Sequence, residues 1–128
     1  MFETKTIMSK DVISVKRQTN IYEAIKLMVE KKITGLPVLN DDMTLAGMIS
    51  EKDVLSLLYN IEDNTNSTVE DFMTKGICCF NENDSLIDIA ECLIEKHFRR
   101  VPILSNGKVV GIITRTDIIT FILNLRHK

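Results

Sequence analysis

The sequence predicts an α/β fold of the α+β sandwich type, built from two β-α-β-β-α repeats packed with pseudo-two-fold symmetry. Three observations predict it. Residues 7–58 overlay residues 72–122 with a single one-residue gap, and the register is fixed by punctuation: Met8 falls on Met73, Lys10 on Lys75, Glu30 and Lys31 on Glu95 and Lys96, and Pro37 on Pro102. The offset is 65 up to Asn106 and 64 beyond it, where Gly47 meets Gly111, Ile49 meets Ile113 and Asp53 meets Asp117. Each copy passes from helical apolar spacing to short apolar runs bounded by turn residues. At 128 residues the chain can bury roughly two thirds of its unfolded surface, enough for one compact domain. The organisation read from this is a first repeat at 1–60, a linker at 61–69 and a second repeat at 70–128.

Asn20 followed by Glu23 reads as a capping box, and Ile21, Ala24, Ile25, Met28 and Val29 recur at helical spacing, so a helix is expected to about Lys32. Ser85 and Asp88 repeat this start, with Leu86, Ile89, Ala90, Leu93 and Ile94 on the apolar stripe and an end near His97. Runs 36–39 and 101–104 follow as strands, each with proline second, where a ladder donor is not needed. Asn40, Asp41 and Asp42, and Asn106 with Gly107, turn the chain back onto strands at 45–49 and 109–113. A second helix begins after Ser50 and after Thr114, carrying Val54, Leu55, Leu57 and Leu58 or Ile118, Ile119, Phe121 and Ile122. Runs 12–15 and 77–80 supply an entry strand to each repeat. Residues 60–68 are rich in Asn, Asp, Ser and Thr and read as linker.

Bulk properties narrow the function. A net charge of -2 with no global basic footprint argues against duplex nucleic acid as partner. No apolar run approaches the ~20 residues that span a bilayer, and the N-terminus lacks a signal-peptide profile, so a soluble, cytoplasmic protein without a membrane partner is expected. Charge is uneven: from Lys96 to Lys128, the basic residues Lys96, Arg99, Arg100, Lys108, Arg115, Arg126 and Lys128 stand against Asp117 alone, which suits an anionic ligand or a solvated basic face. Cys78, Cys79 and Cys92 lack zinc-site spacing, and Cys92 sits in an apolar helical pattern as a core thiol. His97 and His127 are the only histidines, and no nucleophile–base pair is evident, so no metal, no catalytic residue and no enzymatic turnover are expected.

The chemistry-bearing pattern is Gly, two apolar residues, Ser or Thr, two residues, Asp: it occurs at Gly47, Ser50 and Asp53 and again at Gly111, Thr114 and Asp117. A strand that ends on a hydroxyl and opens a helix leaves backbone N–H groups and a positive dipole end beside an OH, a natural seat for a phosphate. Three residues on, a carboxylate in the first turn can accept from two vicinal hydroxyls, such as a ribose diol. The same spacing is a capping-box variant that a helix favours without any ligand. Duplication copies caps as faithfully as binding residues, so both readings stand on the residues alone.

These motifs, together with Met-Ser/Thr before each entry strand and the Gly-Leu-Pro-Val and Arg-Val-Pro-Ile strands, resemble tandem CBS domains, a Bateman module, over residues 7–122. The resemblance implies a regulatory unit that binds an adenosine-containing ligand, namely AMP, ADP, ATP or S-adenosylmethionine, in clefts between its repeats, and that forms a homodimer serving an unknown regulated protein. It implies no resident cofactor. The ribose would fall to Asp53 and Asp117, and the phosphate to Ser50 and Thr114. Arg100, just before its Val-Pro strand, would reach the phosphates where the first repeat has Gly35; Arg99 and Arg115 would reinforce it. The adenine slot would be lined by Ile13, Ser14 and Val15 with Thr34, Gly35, Leu36 and Pro37, or by Cys79, Phe80, Arg100, Val101 and Pro102, mostly through backbone groups. The basic second repeat is expected to take phosphate-bearing ligands in preference to the first. The alternatives are a structural dimerisation module without ligand and an S-adenosylmethionine-binding regulatory subunit.

Overall fold

Each copy of the repeat folds in the predicted order, but the compact units do not coincide with the sequence repeats. In the computed structural model, which describes residues 3–96 and 98–126, Ile13–Ile77 forms a first unit, and the described parts of Met1–Val12 and Cys78–Lys128 form a second. A short helix α1 (Thr4–Ile7) precedes β1 (Val15–Lys16), α2 (Ile21–Lys31), β2 (Gly35–Leu39), β3 (Leu45–Ser50) and α3 (Glu51–Leu55), after which come two 3-10 turns, Ser56–Tyr59 and Ile61–Asn64. Another short helix, α4 (Val69–Phe72), precedes β4 (Phe80–Asn81), α5 (Leu86–Lys96), β5 (Arg100–Ser105), β6 (Lys108–Thr114) and α6 (Arg115–Arg126).

Helix α2 forms because its apolar period buries Ile21, Ala24 and Met28 and because Asn20 accepts a hydrogen bond from the Tyr22 N–H at 2.8 Å. No bond returns from the Glu23 side chain among the described residues, so the expected capping box is a simple cap. In α5, Ser85 Oγ accepts from the Ile87 N–H at 3.2 Å, and Leu86, Ile89, Cys92 and Leu93 are buried. The expected end of that helix at His97 lies outside the described residues, as does His127.

Both sheets have three strands, in the orders β1-β2-β3 and β4-β5-β6, with one parallel and one antiparallel pairing. Proline in the central strands is explained by the register. Pro37 pairs with Met48, whose N–H and C=O bond Thr74 on the side away from β2, so the nitrogen of Pro37 faces β1. There β1 pairs only Val38 and Leu39, so the missing N–H falls before the start of that ladder. Pro102, Ile112 and Ser9 repeat the arrangement. The same prolines shorten the entry strands: runs expected at 12–15 and 77–80 form ladder only at Val15–Lys16 and Phe80–Asn81. The hairpins match their turn residues, with Asn106 at φ 52° and Gly107 at φ 79° forming the tight turn of the second unit.

The linker is more structured than its composition suggests. Thr68 and Asp71 form a capping box on α4, and backbone bonds from Ile21 to Ser67 and from Val69 to Thr19 fasten the segment to the start of α2. Residues 66–77 thus form an arm of the first unit, and residues 3–12 form the equivalent arm of the second, where Thr4 Oγ1 donates to the Asp84 carbonyl at 2.7 Å. Each arm precedes one repeat in sequence and completes the other in space. Val69 and Met73 enter one core with Ile21, Leu36, Val38 and Ile49; Met8 enters the other with Ile89, Val101, Ile103 and Ile113. The arms close over the glycine shared by the two copies: a Cβ on Gly47 would lie 2.7 Å from the Thr74 carbonyl oxygen, and one on Gly111 would strike Met8. Arg17 secures the first arm by donating to Glu70 at 2.7 Å and to Asn40 at 2.5 Å. The matching positions 65 residues away are Glu82 and Lys5, an inverted polarity.

Candidate functional site

The strand-to-helix exits are built from the same parts in both units but are wired differently. At the first, Ser50 caps α3 in a full capping box: its N–H and Oγ both donate to Asp53 Oδ2, at 2.9 and 3.0 Å, and Oγ accepts from the Asp53 N–H at 3.4 Å. Thr74 Oγ1 adds a bond to Asp53 Oδ1 at 3.0 Å. The Asp53 carboxylate therefore accepts three hydrogen bonds from its own unit. At the second exit, Asp117 Oδ2 accepts from the Thr114 N–H at 2.9 Å and the Asp117 N–H donates to Thr114 Oγ1 at 3.1 Å. Among the described residues, Asp117 Oδ1 accepts nothing and the Thr114 hydroxyl proton is not donated. Capping is thus real in both units, yet the second retains a free carboxylate oxygen and a free OH donor.

Backbone donors are scarcer than the sequence suggested. Glu51 N–H bonds the Thr34 carbonyl at 3.0 Å and Arg115 N–H bonds the Arg99 carbonyl at 3.1 Å. With the cap and third-residue N–H groups also engaged, Lys52 and Thr116 hold the remaining first-turn donor of each helix. The helices behind them differ: α3 is 5 residues long, whereas α6 runs for 12, so the second exit has the longer array of aligned peptide dipoles.

Register decides which candidates reach an exit. Arg100 pairs with Thr114 and Gly35 with Ser50, and directly opposed antiparallel residues share a sheet face. The half-buried Arg100 thus stands beside the Thr114 hydroxyl, and the first unit has no side chain at that place. Pro37 and Pro102 lie on the same face as their exits. Leu36 and Val101 point to the opposite face and sit fully buried in the two cores, so they can offer a ligand only backbone groups. Ser14 is half-buried just before β1; Cys79 is exposed before β4, and Phe80 packs against the second core.

Arg115 has other work: Nε donates to the Phe98 carbonyl at 2.8 Å and Nη2 to the Leu93 carbonyl at 2.9 Å, satisfying carbonyls around the C-terminal end of α5. Of the cysteines, Cys92 is buried, and burial with a thiol hydrogen bond to Cys78 pushes its pKa up to about 11. Burial, with Cys78 and Asp84 nearby, also raises Cys79. Among the described residues no group of His, Cys, Asp and Glu is arranged to hold a metal ion, and no helix is long and apolar enough to cross a membrane. Sequence reading gave Ser9 and Thr74 no role, although both stand in the repeated Met-Ser/Thr pair.

Comparison with known proteins agrees with this architecture. The CBS domain model matches residues 5–60 and 69–124, and the chain belongs to the CBS domain family. It is 36% identical over 116 residues to an uncharacterised protein of Methanocaldococcus jannaschii, covering 90% of this chain and 41% of that protein. It is 32% identical over 142 residues to the chloroplastic CBS domain-containing protein CBSX2 of Arabidopsis thaliana, covering 89% of this chain and 60% of the relative. The chain therefore spans less than two thirds of the length of these relatives. Among solved structures it is similar to CBSX2 in complex with AMP, with a TM-score of 0.89, 33% identity and 98% and 99% of the two chains covered. It is also similar to the CBS domain pair of protein MJ0100 in complex with 5'-methylthioadenosine and S-adenosyl-L-methionine, with a TM-score of 0.84, 25% identity and 98% of each chain covered.

Proposed function

We propose that the chain is a regulatory module that senses an adenine nucleotide, AMP, ADP or ATP, by binding it at the exit of β6, and that it signals through a change in conformation or in the state of a homodimer. The observation that carries this reading is the open Asp117–Thr114 pair with Arg100 directly across the ladder. Asp117 Oδ1 would accept from the ribose diol, the Thr114 hydroxyl would donate to phosphate, and Arg100 would supply the opposing charge. The AMP complex of CBSX2 supports the ligand class. The mode of action is binding without turnover.

S-adenosylmethionine is a second reading, supported by the MJ0100 complex. Its sulfonium is a cation, and a guanidinium beside Thr114 favours a phosphate over it. Titration calorimetry with AMP and with S-adenosylmethionine separates the two. Asp117→Ala is expected to weaken AMP at least about tenfold, the scale of a lost hydrogen bond to a charged group, whereas Asp53→Ala should leave it within a factor of about two. An AMP affinity unchanged by Asp117→Ala would overturn the assignment.

A further inference from the structure

The difference between the two exits traces to a position outside them, on the arms. Thr74 is held to Met48 by a backbone N–H and C=O pair, at 3.0 and 2.8 Å, and from there its Oγ1 reaches Asp53 Oδ1. Ser9 stands 65 residues earlier and makes the same backbone pair with Ile112, at 2.9 and 3.0 Å, which puts it at the corresponding place beside Asp117. Its hydroxyl nonetheless bonds nothing among the described residues. The two side chains differ by a methyl group. A β-branched threonine is restricted in χ1, so its hydroxyl can be held on the carboxylate, whereas an exposed serine turns freely.

We propose that this arm residue determines which exit accepts a ligand: Thr74 closes the first by occupying the carboxylate oxygen a ribose hydroxyl would use, and Ser9 leaves the same oxygen of Asp117 open. The inference rests on the reading of Asp117 as diol acceptor. A nucleotide arriving at Asp53 must first displace the threonine hydroxyl; one arriving at Asp117 displaces only water. Each chain therefore takes one nucleotide tightly, in the second unit, and the arm of the first unit acts as a built-in competitor.

The test uses the full chain and AMP as the titrant. Ser9→Thr should weaken AMP about fivefold, the worth of one hydrogen bond of this kind, while Ser9→Val, with the same shape and no donor, should stay within about twofold. Thr74→Val in an Asp117→Ala background should raise the residual affinity about fivefold. Equal weakening by Ser9→Thr and Ser9→Val, or none by Ser9→Thr, overturns the proposal. Wild-type protein that ignores AMP overturns the nucleotide reading instead, and the arm assignment is then decided without ligand. Denaturation of Thr74→Val, Asp53→Ala and the double variant should show a coupling of about fivefold in the folding constant, and Ser9 with Asp117 should show none. Absent coupling at Thr74 overturns it.

Discussion

Gly47 and Gly111 mark the closest approach of each arm, and the two contacts are not equally forgiving. A methyl group on Gly47 would lie 2.7 Å from backbone oxygen of Thr74, so the arm itself must shift; on Gly111 its nearest neighbours are side-chain atoms of Met8, of which Sδ and Cγ can rotate away and Cβ, at 3.1 Å, must give by a few tenths of an ångström. Gly47→Ala is expected near the top of the roughly 1–3 kcal/mol range for overpacking and Gly111→Ala near the bottom. Equal losses in urea denaturation would contradict this ranking. At Cys92 the sign of the pH effect follows from its raised pKa. The buried thiol stays protonated to about 11 in the fold, while the unfolded chain ionises near 9.0. Its contribution is full below the lower value and declines as pH rises from one to the other. Cys79, also raised, adds a loss of the same sign. Stability of the wild type should fall between pH 9 and 11, and Cys92→Ala should fall less steeply; parallel curves would show that the thiol plays no part.

Among the elements, those with a full period were legible and those without were not. α2 and α5 each repeat an apolar stripe over 11 residues, and periodicity locates them. α1 and α4 have only four residues, too few to show a period, so arms that complete both cores read as the start of the first repeat and as linker with the start of the second. The second helix of each repeat was read as the same element twice. The Ser56 hydroxyl, however, donates to the Asp53 carbonyl at 2.6 Å, competing with the helical ladder, and α3 gives way to a 3-10 turn. The Thr120 hydroxyl at the equivalent place makes no such bond among the described residues, and α6 continues. The exit residues Ser50, Asp53, Thr114 and Asp117 were legible as a motif; their unequal wiring was not, because it depends on arm residues distant in sequence. The resemblance makes Arg115 a reinforcement of Arg100 at the phosphate, whereas its partners in the fold are the Phe98 and Leu93 carbonyls, which no composition reveals. Arg115→Ala should cost about 1–2 kcal/mol by stranding those carbonyls while shifting AMP affinity by less than about threefold. A tenfold loss of AMP with unchanged stability would return the residue to the ligand.

For the whole molecule, the repeat was legible and its closure was not, since aligning two copies cannot say which arm docks where. The first unit, Ile13–Ile77, is continuous in sequence and owns its arm; the second is assembled from two stretches. A fragment spanning residues 13–77 is therefore expected to unfold cooperatively on its own, as many domains of this size do. A fragment of residues 78–128 should not, because Met8 and Thr4 are missing from it, and a peptide of residues 1–12 should restore its transition. Circular dichroism melting checks all three samples, and a cooperative melt of 78–128 without the peptide would refute the expectation. The divided second unit also orders events during synthesis. On the ribosome the first unit has every part it needs once Ile77 has emerged, but the arm of residues 3–12 reaches its first partners only at Asp84 and Ser85 and cannot complete its docking, at Ile112, until β6 has been translated. An arm made before the rest of its unit is thus among the last parts of that unit to settle, and it waits undocked while the whole first unit is translated.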